Sequence, residues 1–229
     1  MHAADVPRAV HQAFYLASTG RPGPVLVDIP RDVSQELCDP EFPAETTIPG
    51  YRPVLDGSPK QIAAAVEALA AAERPVIYAG GGIIAAGASD ALRTLVKKTG
   101  IPVTMTVMGL GAFPNDDALS LDMLGMHGSV YSNWAVRDCD LLIALGVRFD
   151  DRVTGKIAAF AKHAKIVHID IDPSEINKNK PAHIPVVSDV KYAIDELNKI
   201  VEAPDDISGW VQQVRQWKQD NGFRYDTKC

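Results

Sequence analysis

Two arginines and two aspartates follow an apolar run, and this segment is the part of the sequence best suited to bind a charged ligand. The run Leu141–Leu145 is typical of a buried strand, and Gly146-Val147-Arg148-Phe149-Asp150-Asp151-Arg152-Val153-Thr154-Gly155-Lys156 comes directly after it. Such a strand places the following residues at the carboxyl edge of a sheet, where open α/β folds bind their ligands. Guanidinium groups there can hold phosphate or carboxylate through paired hydrogen bonds. Taken alone, the segment fits a solvated loop with local ion pairs equally well.

Glycine-rich turns follow two further predicted strands and would let a ligand approach the backbone. Gly80-Gly81-Gly82 comes after a strand at 75–79, and glycines at such a point expose amide donors suited to a diphosphate. A plain tight turn accounts for them equally well. The stretch 105–111 adds the hydroxyl of Thr106 and soft methionine side chains, which also serve as ordinary core residues.

A histidine and several aspartates lie at the remaining junctions. His127, in Leu124-Gly125-Met126-His127-Gly128, precedes a predicted helix N-terminus, where contact with an anion competes with a structural role. Asp170 and Asp189 follow later strands, where a carboxylate can accept hydrogen bonds from ribose hydroxyls. Asp172, with Pro173 after it, has the alternative role of a helix N-cap.

The elements that would position these residues are short apolar strands alternating with amphipathic helices. Strands are predicted at 75–79, 101–105, 140–145, 165–171 and 184–187, and helices near 88–99, 129–137, 155–161 and 190–201. This alternation predicts a doubly wound α/β domain over residues 58–203, with a parallel sheet and helices on both faces. Because the carboxyl ends of parallel strands share one edge, the junctions favour a long nucleotide-type ligand laid across it. The pattern supplies no reaction, since it contains no recognisable nucleophile–base pair, HExxH motif, P-loop or metal cluster.

The amino-terminal part of the chain resembles the end of a different domain. A helix at 6–18 and a strand at 25–29 cannot bury their apolar faces alone, so we interpret residues 1–38 as a helix-strand remnant of another α/β domain. Five prolines between residues 39 and 59 predict an extended linker over 39–57.

Two further helices are predicted at the ends of the central domain. Ser58 at the N-cap, Pro59 at the first helical position and Gln61 predict a helix that begins with a capping box. Residues 204–229 are interpreted as a connecting segment with a helix at 207–220. Its tryptophans either pack against the same domain or face a part of the protein that is absent.

Composition and charge exclude several classes of function. A net charge of −6 over 229 residues gives no basic face, so we expect no nucleic-acid partner. Three well-separated cysteines (Cys38, Cys139 and Cys229) without CxxC spacing indicate reduced thiols and no zinc site. No apolar run reaches the roughly 18 residues needed to span a bilayer, and the first residues lack the features of a signal peptide. We therefore expect a cytoplasmic protein that does not associate with membranes.

Four motifs, in order along nearly the whole chain, resemble a known enzyme family. They are Gly20-Arg21-Pro22-Gly23-Pro24-Val25-Leu26-Val27-Asp28-Ile29-Pro30-Arg31-Asp32, the segment 124–128, the segment 146–156, and His168-Ile169-Asp170-Ile171-Asp172-Pro173-Ser174-Glu175-Ile176-Asn177-Lys178-Asn179. They are similar to the catalytic large subunit of acetolactate synthase, also called acetohydroxyacid synthase, which depends on thiamine diphosphate. The resemblance implies the end of a pyrimidine-binding domain, a linker and a central FAD-binding domain, followed by a connection to a diphosphate-binding domain.

The resemblance also implies which residues would hold FAD along the sheet edge. They are Arg21, Gly80, Gly81, Gly82, Thr106, Val107, Met108, Leu124, Gly125, Met126, His127, Gly146, Arg148, Asp150, Arg152, Asp170, Ile171, Asp189 and Val190. Asp151 and Arg152 resemble positions beside the substrate channel, as does Arg31, where many relatives have lysine. FAD is not needed for net electron transfer in this family, so its implied role is mainly structural.

Two cofactor motifs of the family have no counterpart in this sequence. These are the glutamate that activates thiamine and the Gly-Asp-Gly…Asn motif that binds Mg²⁺ and the diphosphate of thiamine diphosphate; Asp56-Gly57-Ser58 is no substitute. No catalytic residue and no metal ligand is therefore expected here, and the isolated chain is expected to be inactive.

The reaction implied for the parent enzyme joins two 2-ketoacids. Pyruvate loses CO₂ on the thiamine cofactor and adds to pyruvate or 2-ketobutyrate, giving 2-acetolactate or 2-aceto-2-hydroxybutyrate for branched-chain amino-acid biosynthesis. The implied partners are the remaining domains of the enzyme, further copies in a homo-oligomer and a regulatory small subunit. The alternatives are a free-standing module that binds FAD or another nucleotide, and a different thiamine-dependent carboligase.

Overall fold

The computed structural model describes residues 2–223 and divides the chain into two compact units, Met1–Val54 and Leu55–Cys229. Cys229, predicted to be a reduced thiol, lies outside the described residues, whereas Cys38 and Cys139 are both free. The longest helices have 13 residues, and none in the described part of the chain has the length and apolar character needed to cross a membrane.

The first unit is built from helices and extended chain. A 3₁₀ turn at Ala3–Asp5 leads into α1 (Val6–Ser18), which confirms the predicted helix, and α2 follows at Arg31–Gln35. The predicted strand at 25–29 is wrong: these residues belong to no strand or helix, and Leu26 is 91% exposed. A strand needs a neighbouring strand for its backbone groups, and the described residues of this unit contain none.

The second unit has seven α-helices, one 3₁₀ turn (Val107–Gly109) and six strands within its described residues. The helices are α3 (Pro59–Ala70), α4 (Gly81–Ala85), α5 (Ser89–Thr99), α6 (Val130–Asp138), α7 (Asp151–Thr154), α8 (Val190–Ile200) and α9 (Ser208–Asp220). The strands are β1 (Pro75–Ala79), β2 (Val103–Met105), β3 (Ser120–Met123), β4 (Leu141–Leu145), β5 (Lys165–Asp170) and β6 (Ile184–Val187).

These strands form one parallel sheet in the order β3-β2-β1-β4-β5-β6. The predicted doubly wound α/β fold is therefore confirmed. The strand order reverses between β1 and β4, and ligands of such folds bind beyond the carboxyl ends of the strands at this switch point.

Helices cover both faces of the sheet because successive strand residues point to opposite sides. In β1, Ile77 belongs to the apolar core under α3, α5 and α8, whereas Tyr78 belongs to the core under α6 and α9. Trp210 and Val214 of α9 are buried in the second core. Of the two interpretations of this helix, packing against its own domain is the one observed.

Three local predictions in this unit are corrected. Strand β3 was not predicted, because Ser120–Met123 is short and only its first half is buried. The predicted helix at 155–161 is a series of turns, since Gly155 and Ala161 both have positive φ and interrupt helical geometry. Helix α3 begins at Pro59 as predicted, but the Ser58 side chain makes no capping hydrogen bond.

Candidate functional site

The turns after β1 and β4 interlock at the switch point. Gly80 N–H donates to Leu145 O (2.9 Å), and Gly82 N–H donates to Gly146 O (3.2 Å). A Cβ on Gly80 would lie 2.0 Å from Gly146 O, so glycine is required for this close approach. The structure thus brings the predicted glycine turn and the start of the arginine-aspartate segment together in direct backbone contact.

The arginine-aspartate segment is anchored by a buried aromatic residue. Phe149 is 2% exposed and has a φ of +50°, which is rare for a bulky residue. Its ring packs against Tyr78 and, edge to face, against His168, at centroid distances of 5.9 and 4.9 Å. This conformation buries Phe149 and leaves its neighbour Arg148 exposed and Asp150 half-buried.

The charged side chains of this segment form a local network. The Arg148 guanidinium contacts the Asp150 carboxylate at 2.7 Å, and Asp150 also caps α7 by accepting the N–H of Arg152 at 3.1 Å. The backbone N–H of Arg152, a hydrogen bond with Asp151 and the charge of Arg148 together lower the pKa of Asp150. Asp150 is therefore a carboxylate at neutral pH. Its negative charge partly neutralises Arg148, one of the two arginines of the segment.

The loop 124–128 is held against the same segment. Met126 N–H donates to Arg152 O at 2.9 Å, and a Cβ on Gly125 would lie 2.9 Å from that oxygen. Leu124 is buried, whereas Met126 and His127 are exposed beside the charged segment. The structure thus brings this loop into direct backbone contact with Arg152.

The turn after β2 adds an apolar surface. Thr106 N–H donates to Ala79 O, and its hydroxyl accepts the N–H of Gly109, both at 2.9 Å. Val107 and Met108 are 65% and 74% exposed. Large apolar side chains exposed at a ligand edge are suited to contact a flat ring.

The other end of the edge is built from β5 and β6. Asp170 is 8% exposed and accepts the N–H of Asp172 through Oδ1 at 2.9 Å. Asp170 O accepts the N–H of Ser188, which places Asp189 beside it, and Asp189 caps α8 by accepting the N–H of Tyr192. Ile171 is half-buried and Val190 is buried. The predicted competing cap at Asp172 stabilises a turn at Ser174, not a helix.

Of the remaining predicted residues, two lie in the first unit and one lies in the second. Arg21 and Arg31 belong to the first unit, where Arg31 is the first residue of α2. Asp151 is the first residue of α7 and is exposed.

Three residues that support the segment were not singled out from the sequence. Besides Phe149, they are His168, which is fully buried with Nε2 at 2.8 Å from Val147 O, and Asn179, whose amide donates to the carbonyls of Arg148 and Phe149. Burial lowers the pKa of His168. For Phe149 the sequence did contain a usable signal, because it is an aromatic residue between two charged residues, Arg148 and Asp150.

Comparisons with known proteins agree with this architecture. A family model described as thiamine pyrophosphate enzyme, central domain, matches residues 62–197. The chain is 50% identical over 236 residues to the probable acetolactate synthase 2, chloroplastic, of Oryza sativa subsp. japonica, which covers 97% of this chain and 35% of that protein. It is 52% identical over 207 residues to the chloroplastic acetolactate synthase of Arabidopsis thaliana, covering 88% of this chain and 30% of that protein.

The chain spans about a third of the length of these curated relatives. Their names describe them as chloroplastic, so they give no support to the predicted cytoplasmic location.

Proposed function

Because this chain belongs to the thiamine pyrophosphate enzyme family, matched over the central domain, we propose that it forms the FAD-binding central part of an acetolactate synthase. The observation that carries the proposal is the edge of the sheet. Six segments that the sequence predicted as ligand contacts meet there through backbone hydrogen bonds, from Thr106 at one side to Asp189 at the other.

The residues present fit the chemistry of FAD. At the switch point Gly80, Gly82 and Gly146 carry no side chains that would keep a diphosphate from the backbone. Their N–H groups donate to the carbonyls of Leu145, Gly146 and Ile169, so these three glycines do not offer the amide donors predicted from the sequence. Arg148 and Arg152 supply positive charge beside it, and Asp170 supplies a buried carboxylate for a ribose hydroxyl.

The flat isoalloxazine ring is assigned to the apolar side of the edge. Val107, Met108 and Met126 expose large apolar side chains there. Flavin supplies redox chemistry in many enzymes, but the proposal gives this chain a binding and positioning role. No residue of the chain is assigned as nucleophile, base or metal ligand, and this part alone is proposed not to catalyse the condensation.

In the whole enzyme, the proposed reaction is the condensation of pyruvate with pyruvate or 2-ketobutyrate, with loss of CO₂. The similarity to acetolactate synthases at about half identity supports this assignment over other thiamine-dependent carboligases. Thiamine diphosphate and Mg²⁺ are proposed cofactors of that enzyme, and FAD is the one proposed for this domain.

A flavin titration of the full chain tests the proposal. We expect FAD to bind with quenching of flavin fluorescence and a rise in melting temperature, since a ligand that binds only the folded state stabilises it. Arg148→Ala should weaken binding at least tenfold. Arg93→Ala removes an ion-paired arginine elsewhere in the same unit and serves as the matched control.

Two results of this titration would contradict the proposal. Failure of FAD to bind the folded chain, or equal effects of both variants, would overturn the flavin assignment. Parallel titrations with ADP and with FMN show which half of the dinucleotide is recognised.

A further inference from the structure

We propose that Lys218, near the carboxyl end of α9, is a positioning residue that holds a β-bulge under the site loop 124–128 and thereby sets ligand affinity. The proposal rests on the proposed function only for the identity of the ligand. The positioning role itself concerns how α9, which is not part of the sheet edge, fixes the loop 124–128 at that edge.

The bulge lies in β3. Val103 of β2 pairs with Ser120, but Met105, two residues on, pairs with Met123, three residues on. One extra residue is therefore inserted in β3, and Asp122 has a φ of +57°. Bulges of this kind redirect the chain next to functional sites, and aspartate tolerates the left-handed conformation better than most residues.

Lys218 binds this bulge from the neighbouring helix. Its ammonium donates to Ser120 O at 2.7 Å and lies 3.4 Å from the Asp122 carboxylate. The hydroxyl of Tyr131, from α6, donates to the same carboxylate, and the ammonium lies 5.9 Å from the Tyr131 ring centroid. Two helices, α9 and α6, thus converge on Asp122 in the bulge of β3.

The environment makes these contacts stronger than ordinary surface ion pairs. The side chains of Lys218 and Asp122 are 30% and 22% exposed, and Tyr131 is buried. Removing one partner from a partly buried pair leaves the other charge poorly solvated. The helix that carries Lys218 is itself held in place by packing, because Trp217 contacts both Trp134 and Trp210 edge to face.

The bulge passes directly into the site loop. Leu124 N–H donates to Met105 O (3.0 Å), and Ser129 N–H donates to Met123 O (2.9 Å), so both ends of the loop are fixed by residues next to the bulge. Between them, Met126 N–H reaches Arg152 O in the charged segment. A change in the bulge would therefore alter the position of Met126 relative to Arg152.

Hydrogen exchange of the full chain tests the positioning without any ligand. In Lys218→Met, we expect the amides of Leu124, Met126 and Ser129 to exchange about tenfold faster, while amides of β4 and β5 are unchanged. Arg215→Met, an exposed cation on the same helix, should leave exchange at the loop unchanged. Lys218→Arg keeps the positive charge, so the loop amides should exchange as slowly as in the unsubstituted chain.

Flavin affinity then tests the functional part. We expect Lys218→Met to weaken FAD binding three- to tenfold, with Arg215→Met unchanged. Val214→Ala loosens α9 packing without touching the charge, so it should lower the melting temperature while leaving flavin affinity within twofold. Asp122→Asn should weaken binding less than Lys218→Met, because Lys218 keeps its hydrogen bond to Ser120 O. The loss in the double variant should be smaller than the sum of the two single losses, because both substitutions remove the same ion pair.

The outcomes separate this proposal from the flavin assignment. Faster exchange at the loop in Lys218→Met without any FAD binding would overturn the proposed ligand and support the positioning role. FAD binding with unchanged affinity and exchange in Lys218→Met would overturn the positioning role. Equal losses in Val214→Ala and Lys218→Met would also overturn it, since a general loosening of α9 would then suffice.

Discussion

At the scale of single residues, backbone geometry decides what the site positions can tolerate. Gly146 has a φ of +60°, and a Cβ there would lie 2.7 Å from Gly82 Cα. Both conditions exclude a side chain, one by conformation and the other by contact. The glycine pattern in the sequence indicated a turn at both positions, but only the structure shows that the two turns touch each other.

Gly146→Ala should lower the free energy of unfolding by about 2 to 4 kcal/mol, since it combines left-handed strain with overpacking. Gly209→Ala is the matched control: Gly209 lies in α9 with open space around its Cα, so alanine should be neutral or stabilise by about 0.5 to 1 kcal/mol. Urea unfolding of both variants measures the difference. Similar values for the two would contradict the interlock of the β1 and β4 turns.

The buried His168 makes stability depend on pH in a defined direction. Burial lowers the pKa of His168 below its ordinary value of 6.5, so the unfolded chain binds this proton more readily than the folded one. Its contribution to stability is therefore fully present above about pH 6.5 and is lost as the pH falls below that value.

Comparison with His168→Gln isolates this contribution from those of the other histidines. We expect the free energy of unfolding of the unsubstituted chain to fall more steeply than that of the variant between pH 7 and pH 5, measured by urea unfolding. Parallel curves would show that His168 does not titrate in this way.

At the scale of elements, prediction succeeded where one physical signal dominated. β1 and β4 are continuous apolar runs with every residue buried, and α5 ends at Gly100 in the left-handed conformation. The failures have tertiary causes. β3 is held by pairing with β2 and by its bulge, and the strand predicted at 25–29 has no pairing partner in its unit. Neither condition can be read from a local window of sequence.

Helix α9 illustrates a choice that only packing could settle. Its tryptophans were compatible with two surroundings, and Trp210 proves to be buried with Nε1 donating to Pro75 O at 3.0 Å. This hydrogen bond joins the helix to the first residue of the central strand β1.

Trp210→Phe should lower the free energy of unfolding by about 1 to 3 kcal/mol, because it leaves the buried carbonyl of Pro75 without this donor. Trp217→Phe, in the same helix but half-buried, keeps an aromatic ring in the cluster and should cost less. Urea unfolding of the two variants provides the measurement. A smaller loss for Trp210→Phe than for Trp217→Phe would show that α9 is not fixed by this bond.

At the scale of the whole molecule, the arrangement of the site followed from topology more than from any single motif. Parallel strands bring their carboxyl ends to one edge, so weak signals at separate junctions predicted a shared site. The contacts that hold the site residues in place could not be predicted from this topology. The Phe149–Tyr78 contact, the Asn179–Phe149 hydrogen bond and the Lys218–Ser120 hydrogen bond each join residues 30 or more positions apart, and distant contacts leave no local pattern.

Limited cleavage of the full chain by trypsin shows which exposed arginines a bound ligand protects. Arg148 and Arg152 are exposed in the second unit, and Arg8 is exposed in the first. If FAD binds along the sheet edge, a concentration ten times its dissociation constant leaves about one chain in eleven unliganded. Cleavage after Arg148 and Arg152 should then slow about tenfold, as measured by mass spectrometry of the fragments, while cleavage after Arg8 stays unchanged. Riboflavin, which lacks the diphosphate and adenosine, should protect neither arginine at the same concentration. Protection of Arg8 to the same degree would indicate inhibition of the protease or global stabilisation. An unprotected Arg148 in the presence of bound FAD would place the flavin elsewhere on the molecule.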